Sequence, residues 1–226
     1  MQKFNIISLQ STKNQDHIIK ICSNDLAEII RPGNVVEISL SAKGNAYCAV
    51  FFSCNKKNGE LTLFLSHKHN LSIDNQNKDI YLAEISASSF TIEKEDKKIV
   101  LFADEKGLPA IFFLADRFVE VGRQPLLFLC SNEEFPFQVK PSHFVIDNLP
   151  LGMLATCQLL EDKKIPARLI SETGLPGCYD GSVKEFLEEL NLNGWDFDNA
   201  DFRVAGSNKF VNVVNSFAHC ESVVIE

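Results

Sequence analysis

From Phe4 to Ile85 the apolar residues come in short runs separated by polar or glycine-bearing stretches: Phe4 to Leu9, His17 to Cys22, Val35 to Leu40, Tyr47 to Cys54, Leu61 to Ser66 and Ile80 to Ile85. Runs of this length, rich in β-branched and aromatic residues and bounded by turn signals, predict strands spaced as in a sandwich or barrel. Arg31-Pro32-Gly33 and Lys56-Lys57-Asn58-Gly59 are turn chemistry, and the second predicts a hairpin. The fully charged run from Glu93 to Lys98 reads as a boundary.

Beyond that run the period changes. Ile99 to Ala103 predicts a strand, Gly107 to Val121 a helix with Pro109 in its first turn, and Pro125 to Cys130 a second strand. The alternation then runs strand Phe144 to Ile146, helix Pro150 to Asp162, strand Ala167 to Ser171, helix Ser182 to Leu190, strand Asp201 to Ala205, helix Asn208 to Ala218 and strand Ser222 to Ile225. Strands alternating with helices predict a parallel sheet. The expected organisation is therefore an antiparallel β module over residues 1–95 followed by an α/β module over 96–226.

Composition narrows the functional classes. The chain has 226 residues, 45% of them hydrophobic, enough to bury a substantial core in one large or two smaller domains. Its start carries no basic flank followed by a long apolar run, and no stretch reaches the roughly 20 apolar residues that cross a bilayer, so a cytoplasmic protein without membrane contact is expected. The net charge of −8 leaves no basic stripe for a duplex, which argues against nucleic-acid binding. Seven cysteines are scattered without a C-x-x-C pair, which argues against a disulfide framework and a zinc knuckle.

Four places carry a family resemblance. Arg31-Pro32-Gly33-Asn34-Val35-Val36 looks like R-P-G-Q-F-V, and Val50-Phe51-Phe52-Ser53 sits where Arg-x-Tyr/Phe-Ser is expected. Ala103-Asp104-Glu105-Lys106-Gly107-Leu108-Pro109 takes the place of a G-G-x-G-x-x-P turn. The stretch from Glu172 to Val183 resembles D-D-G-S-x-G-x-x-G-x-V, and Ala205-Gly206-Ser207-Asn208 resembles C-G-P-x-x-M. In that order these motifs resemble the ferredoxin-reductase-like flavoproteins, and among them the electron-transfer subunits of dihydroorotate dehydrogenase. The resemblance implies an N-terminal antiparallel β-barrel that holds a flavin, FAD or FMN, and a Rossmann-like α/β domain that holds a nicotinamide. It places Phe52 and Ser53 at the flavin and Gly107, Gly206 and Ser207 at the nucleotide, and it implies a partner redox protein as electron donor or acceptor.

The chain departs from the pattern at informative positions. Val50 stands where the family arginine pairs with the flavin phosphate, and Phe51 and Phe52 also read as alternating barrel core. At the glycine-rich turn, Asp104 and Glu105 replace glycines that let a pyrophosphate approach backbone N–H groups. Asp104 reads as the N-cap of the following helix, and two carboxylates in the first turn suit the macrodipole but repel a dinucleotide, so NAD(P) binding is expected to be weak or absent. The family's iron–sulfur loop would follow the last residue, and the cysteines lack its spacing, so no iron–sulfur cluster is expected. A rival reading follows from the same departures: a non-catalytic binding or regulatory protein that kept the fold and lost its cofactors.

Remaining constellations read as structural. His67-Lys68-His69 pairs two imidazoles without a third ligand, and no metal is assigned. Cys178, in a glycine-rich turn before a helix, reads as a small turn residue against the alternative of a thiol activated by the helix dipole. His143 reads as a loop residue, and Glu133 to Phe137 as a connecting loop over the carboxyl edge of the sheet.

Overall fold

The computed structural model describes residues 1–12, 16–42, 44–66, 78–87, 89–92 and 97–225. The chain divides into two compact units, residues 1–90 with 112–114 and residues 91–111 with 115–226. The boundary expected at residues 95 and 96, and the histidine pair His67 and His69, lie outside the described residues.

The first unit contains a closed antiparallel barrel of β1 (Gln2–Ser11), β2 (His17–Cys22), β3 (Val35–Ser39), β4 (Tyr47–Asn55), β5 (Glu60–Leu65) and β6 (Asp79–Ile85), in the order β1-β2-β5-β4-β3-β6. Alternation fixes the register. Ile19 lies opposite Leu63 and Ile21 opposite Leu61, and all four point into a core shared with Val36, Ile38, Ala49 and Phe51. Closure comes from β1 against β6, with Phe4 opposite Ile80. The hairpin β4–β5 turns at Gly59, whose φ of +69° suits glycine. A short helix that the apolar pattern did not reveal, α1 (Asn24–Ile29), starts at Ser23, whose side chain accepts from the Leu26 amide, and lays Ala27 into the barrel core. In the Arg31-Pro32-Gly33 turn the Asn34 Oδ1 accepts from the Arg31 amide at 2.7 Å while Nδ2 donates to the Ser86 carbonyl at 2.8 Å, joining the turn to the end of β6.

The second unit holds a six-stranded parallel sheet built from β7 (Lys98–Ala103), β8 (Leu126–Ser131), β11 (Ala167–Ser171), β12 (Tyr179–Asp180), β13 (Ala200–Gly206) and β14 (Cys220–Val224), in the order β12-β11-β8-β7-β13-β14. Strands β8 and β11 are buried along their whole length, as a sheet covered on both faces requires. Helices α2 (Leu108–Glu120), α4 (Val183–Leu192) and α5 (Asn208–Asn215) alternate with the strands. One face carries an aromatic cluster in which Phe128 lies 5.0 Å from Phe102, 4.9 Å from Phe186 and 6.0 Å from Trp195.

Two expected elements fail. Phe144 to Ile146 is not a strand, and the helix expected over Pro150 to Asp162 shrinks to α3 (Gln158–Asp162). Left-handed backbone at Asn148 (φ 62°) and Gly152 (φ 86°) breaks any helix there. Ala155–Cys157 forms β10 instead, antiparallel to β9 (Val139–Pro141). Its backbone is satisfied at long range: the amides of Leu154 and Ala155 both donate to the Gly177 carbonyl, and the Leu154 carbonyl accepts from the Ser142 amide. Among the described residues no helix is long and apolar enough to cross a membrane, and no three His, Cys, Asp or Glu side chains are grouped to hold a metal.

Candidate functional site

In the barrel, the pairing of β4 with β5 shifts register between Phe51 and Ser53, a bulge with Phe52 at the extra position. Phe51 points into the core and is fully buried, whereas Phe52 is half-buried. Ser53 is also half-buried, but its hydroxyl donates to Thr62 Oγ1 at 2.9 Å. Val50 is 5% exposed and lies opposite the apolar Val35 and Phe64. The Phe52 ring packs against Phe112, with centroids 5.9 Å apart.

In the α/β unit, the strand order reverses between β7 and β13, the place where sheets of this kind leave a crevice at their carboxyl ends. Three of the residues singled out from the sequence, Gly107, Gly206 and Ser207, converge there. Gly107 packs so closely on β13 that a Cβ would overlap the Ala205 carbonyl and stand 2.9 Å from the Gly206 nitrogen. Gly206 has a φ of +157°, and a Cβ on it would collide with the Asp104 carboxylate. Ser207 caps α5, its hydroxyl accepting from the Phe210 amide at 3.4 Å.

Asp104 is not the N-cap expected of it. Gly107 holds that position without a side-chain bond, and α2 has no acidic residue in its first turn. The Asp104 carbonyl accepts from the Gly107 and Leu108 amides, while its carboxylate reaches across the switch point. Oδ1 accepts from the amides of Lys106 and Gly107, each at 3.1 Å, and Oδ2 accepts from the amide of Ser207 at 2.8 Å. Glu105 turns to the neighbouring strand, where Oε1 accepts from the Ser131 hydroxyl at 2.7 Å and the Asn132 amide at 3.0 Å. Ser131, which sequence reasoning missed, links the turn after β7 to the end of β8, and no local signal marks it. Burial, with Asp104 and Glu172 nearby, raises the Cys130 thiol well above its ordinary range.

Burial pushes the Cys178 thiol up to about 11. The His143 ring is exposed, with Nδ1 2.9 Å from the Glu161 carboxylate, and its amide donates to the same oxygen at 2.7 Å. In the loop from Glu133 to Phe137, Phe135 is buried and stacks on Phe137 with centroids 5.1 Å apart.

No protein-family profile matches the chain, and no curated protein matches it in sequence. Solved structures do. The flavohaem-like FAD/NAD-binding domain of nitric oxide dioxygenase from Vibrio cholerae superposes with a TM-score of 0.65 at 12% identity, covering 99% of both chains. Ferredoxin-NADP+ reductase from Plasmodium falciparum gives 0.60 at 11% identity, covering 99% of this chain and 95% of that one. A siderophore-interacting protein from Acinetobacter baumannii gives 0.61 at 14% identity, covering 96% and 83%. With its six-stranded antiparallel barrel and its six-stranded parallel sheet, the chain has the ferredoxin-reductase fold.

Proposed function

We propose that the chain is a flavin-dependent electron-transfer module that exchanges electrons with a partner redox protein and binds nicotinamide nucleotides weakly or not at all. The observation that carries the reading is the fold, matched end to end by the FAD/NAD-binding domain of a dioxygenase and by a ferredoxin reductase. Phe52 would cover one face of the isoalloxazine and Ser53 would lie beside it, FAD or FMN supplying the redox chemistry. The motif order favours a relationship to the electron-transfer subunits of dihydroorotate dehydrogenase, without their iron–sulfur cluster, whose cysteine spacing the sequence lacks.

Gly107, Gly206 and Ser207 form the nucleotide-type turn, but the amides that would meet a pyrophosphate already have carboxylate partners. That arrangement, with the apolar Val50, also favours a second reading, a binding or regulatory protein that keeps the fold and holds no cofactor. Visible spectroscopy of the purified protein, before and after incubation with FAD or FMN, separates the two. A bound oxidised flavin spectrum is expected, and a colourless protein that takes up neither flavin would leave the second reading standing. Calorimetric titration with NADH is expected to show no low-micromolar binding, and finding it would return the protein to the nicotinamide-dependent reductases.

A further inference from the structure

The amino ends of the parallel sheet, opposite the carboxyl ends where sheets of this kind bind cofactors, carry a cleft of about 580 Å³, the size of a small-molecule site. It is lined by the first residues of three strands, Lys98 of β7, Leu126 of β8 and Ala200 of β13, and by two connecting segments, Phe144 to Asn148 and Gly194 to Asp196. Arg168, 3% exposed, pins the first segment by donating from Nη2 to the Phe144 carbonyl at 2.6 Å.

The polar groups around the cleft are of two kinds. Asp196 is committed to Asn199, accepting from its amide at 3.2 Å and from its Nδ2, and Gln124 donates to the Lys164 carbonyl at 2.9 Å. Lys98 and Asp147 are not so engaged: among the described residues neither side chain has a hydrogen-bond or ion-pair partner, and the Lys98 ammonium lies 4.2 Å over the Trp195 ring. The two charges still sense each other. Loss of water lowers the Lys98 pKa and the Asp147 charge opposes that shift, although no contact pair closes between them.

An unpaired ammonium and an unpaired carboxylate on one cleft, with Leu126, Phe144, Pro166 and Trp195 around them, complement a small molecule that bears both charges and an apolar body. A ligand with only a carboxylate would satisfy Lys98 but meet Asp147 as a like charge, and a simple amine would do the reverse. We propose that this cleft binds a free α-amino acid with a large apolar side chain, its carboxylate on Lys98 and its ammonium on Asp147. The site lies wholly within the α/β unit and stands apart from the flavin reading, which it neither requires nor tests.

Trp195 is the chain's only tryptophan, so its fluorescence reports on this cleft alone. The full chain is titrated with L-phenylalanine and L-leucine, which do not absorb where indole is excited, and with two analogues that each lack one charge, phenylpropionate and phenethylamine. A saturable change with the amino acids is expected, weakened at least about tenfold for either analogue and in Lys98→Met or Asp147→Asn. Calorimetry with the same ligands gives a signal independent of any change that Lys98→Met itself makes at the indole, and thermal melts verify folding. Both side chains are exposed, and should Lys98→Met fail to fold, Asp147→Asn carries the same test. No saturable binding by wild type, an analogue that binds as tightly as the amino acids, or a folded variant of unchanged affinity would each overturn the proposal.

Discussion

Glu161 is 8% exposed, yet its carboxylate accepts from the Ser142 hydroxyl at 3.1 Å and from both the amide and the ring of His143. Burial opposes its charge, but the His143 and Ser142 hydrogen bonds outweigh burial and hold its pKa below the ordinary carboxylate value. A folded pKa below the unfolded one means that the stabilisation is present above the unfolded value, about 4.3, and is lost as pH falls through the folded value. Glu161→Gln is therefore expected to cost about 1.5–3 kcal/mol at neutral pH and to flatten the loss of stability on acidification. Urea midpoints measured for both proteins from pH 7 down to pH 3 check it, and parallel curves would refute the assignment. Val50 is the opposite case, an apolar residue where the resemblance asks for a cation. Val50→Arg buries a guanidinium with no partner and should lower Tm, while added FAD should raise the variant's Tm more than the wild type's if a phosphate reaches that strand. An equal FAD response from both proteins would show that none does.

At the scale of elements, the helix starts differ in what holds them. Ser182 and Glu185 form a reciprocal capping box at α4, whereas α2 starts at a glycine with no side-chain bond and a proline just inside. Ser182→Ala should cost about 1 kcal/mol, read as a lowered urea midpoint with an unchanged slope. The helix start at Ser182 was legible in the sequence, as were all six barrel runs and most strands of the sheet, because their apolar runs are local. The stretch from Phe144 to Cys157 was not. Its leucines looked helical, but Leu151 and Leu154 are exposed, and its amides find partners at Gly177, beyond any local pattern. Asp104 was misread for a related reason: a carboxylate before a helix is ordinarily a cap, and only the neighbouring strand β13 brings Ser207 within its reach.

For the whole molecule, the fold was readable from the order of strands and helices, while the pairing order was not, because periodicity says which face a strand buries and not which strand lies beside it. The ion cluster of the α/β unit shows the same limit. Arg203 on β13 is 6% exposed and meets both oxygens of nearby Asp201 at 2.9 Å, and, from distant parts of the chain, Glu221 on β14 and the Thr91 hydroxyl. Such a cluster contributes through completeness: deleting Glu221 alone would leave a buried guanidinium short of a partner.

The closure of the barrel by β1 against β6 bears on how the molecule folds. The β4–β5 hairpin can form as soon as its short turn is made, but Phe4 meets Ile80 only after nearly the whole module has been brought together, so the loop-closure entropy falls latest on that seam. The seam should be unformed at the rate-limiting barrier. Phe4→Ala is then expected to speed unfolding while leaving the refolding rate nearly unchanged, whereas Leu63→Ala, beside the hairpin, should slow refolding. Stopped-flow chevrons in urea distinguish these outcomes, and the kinetic lifetime of the native barrel is thereby tied to its first strand.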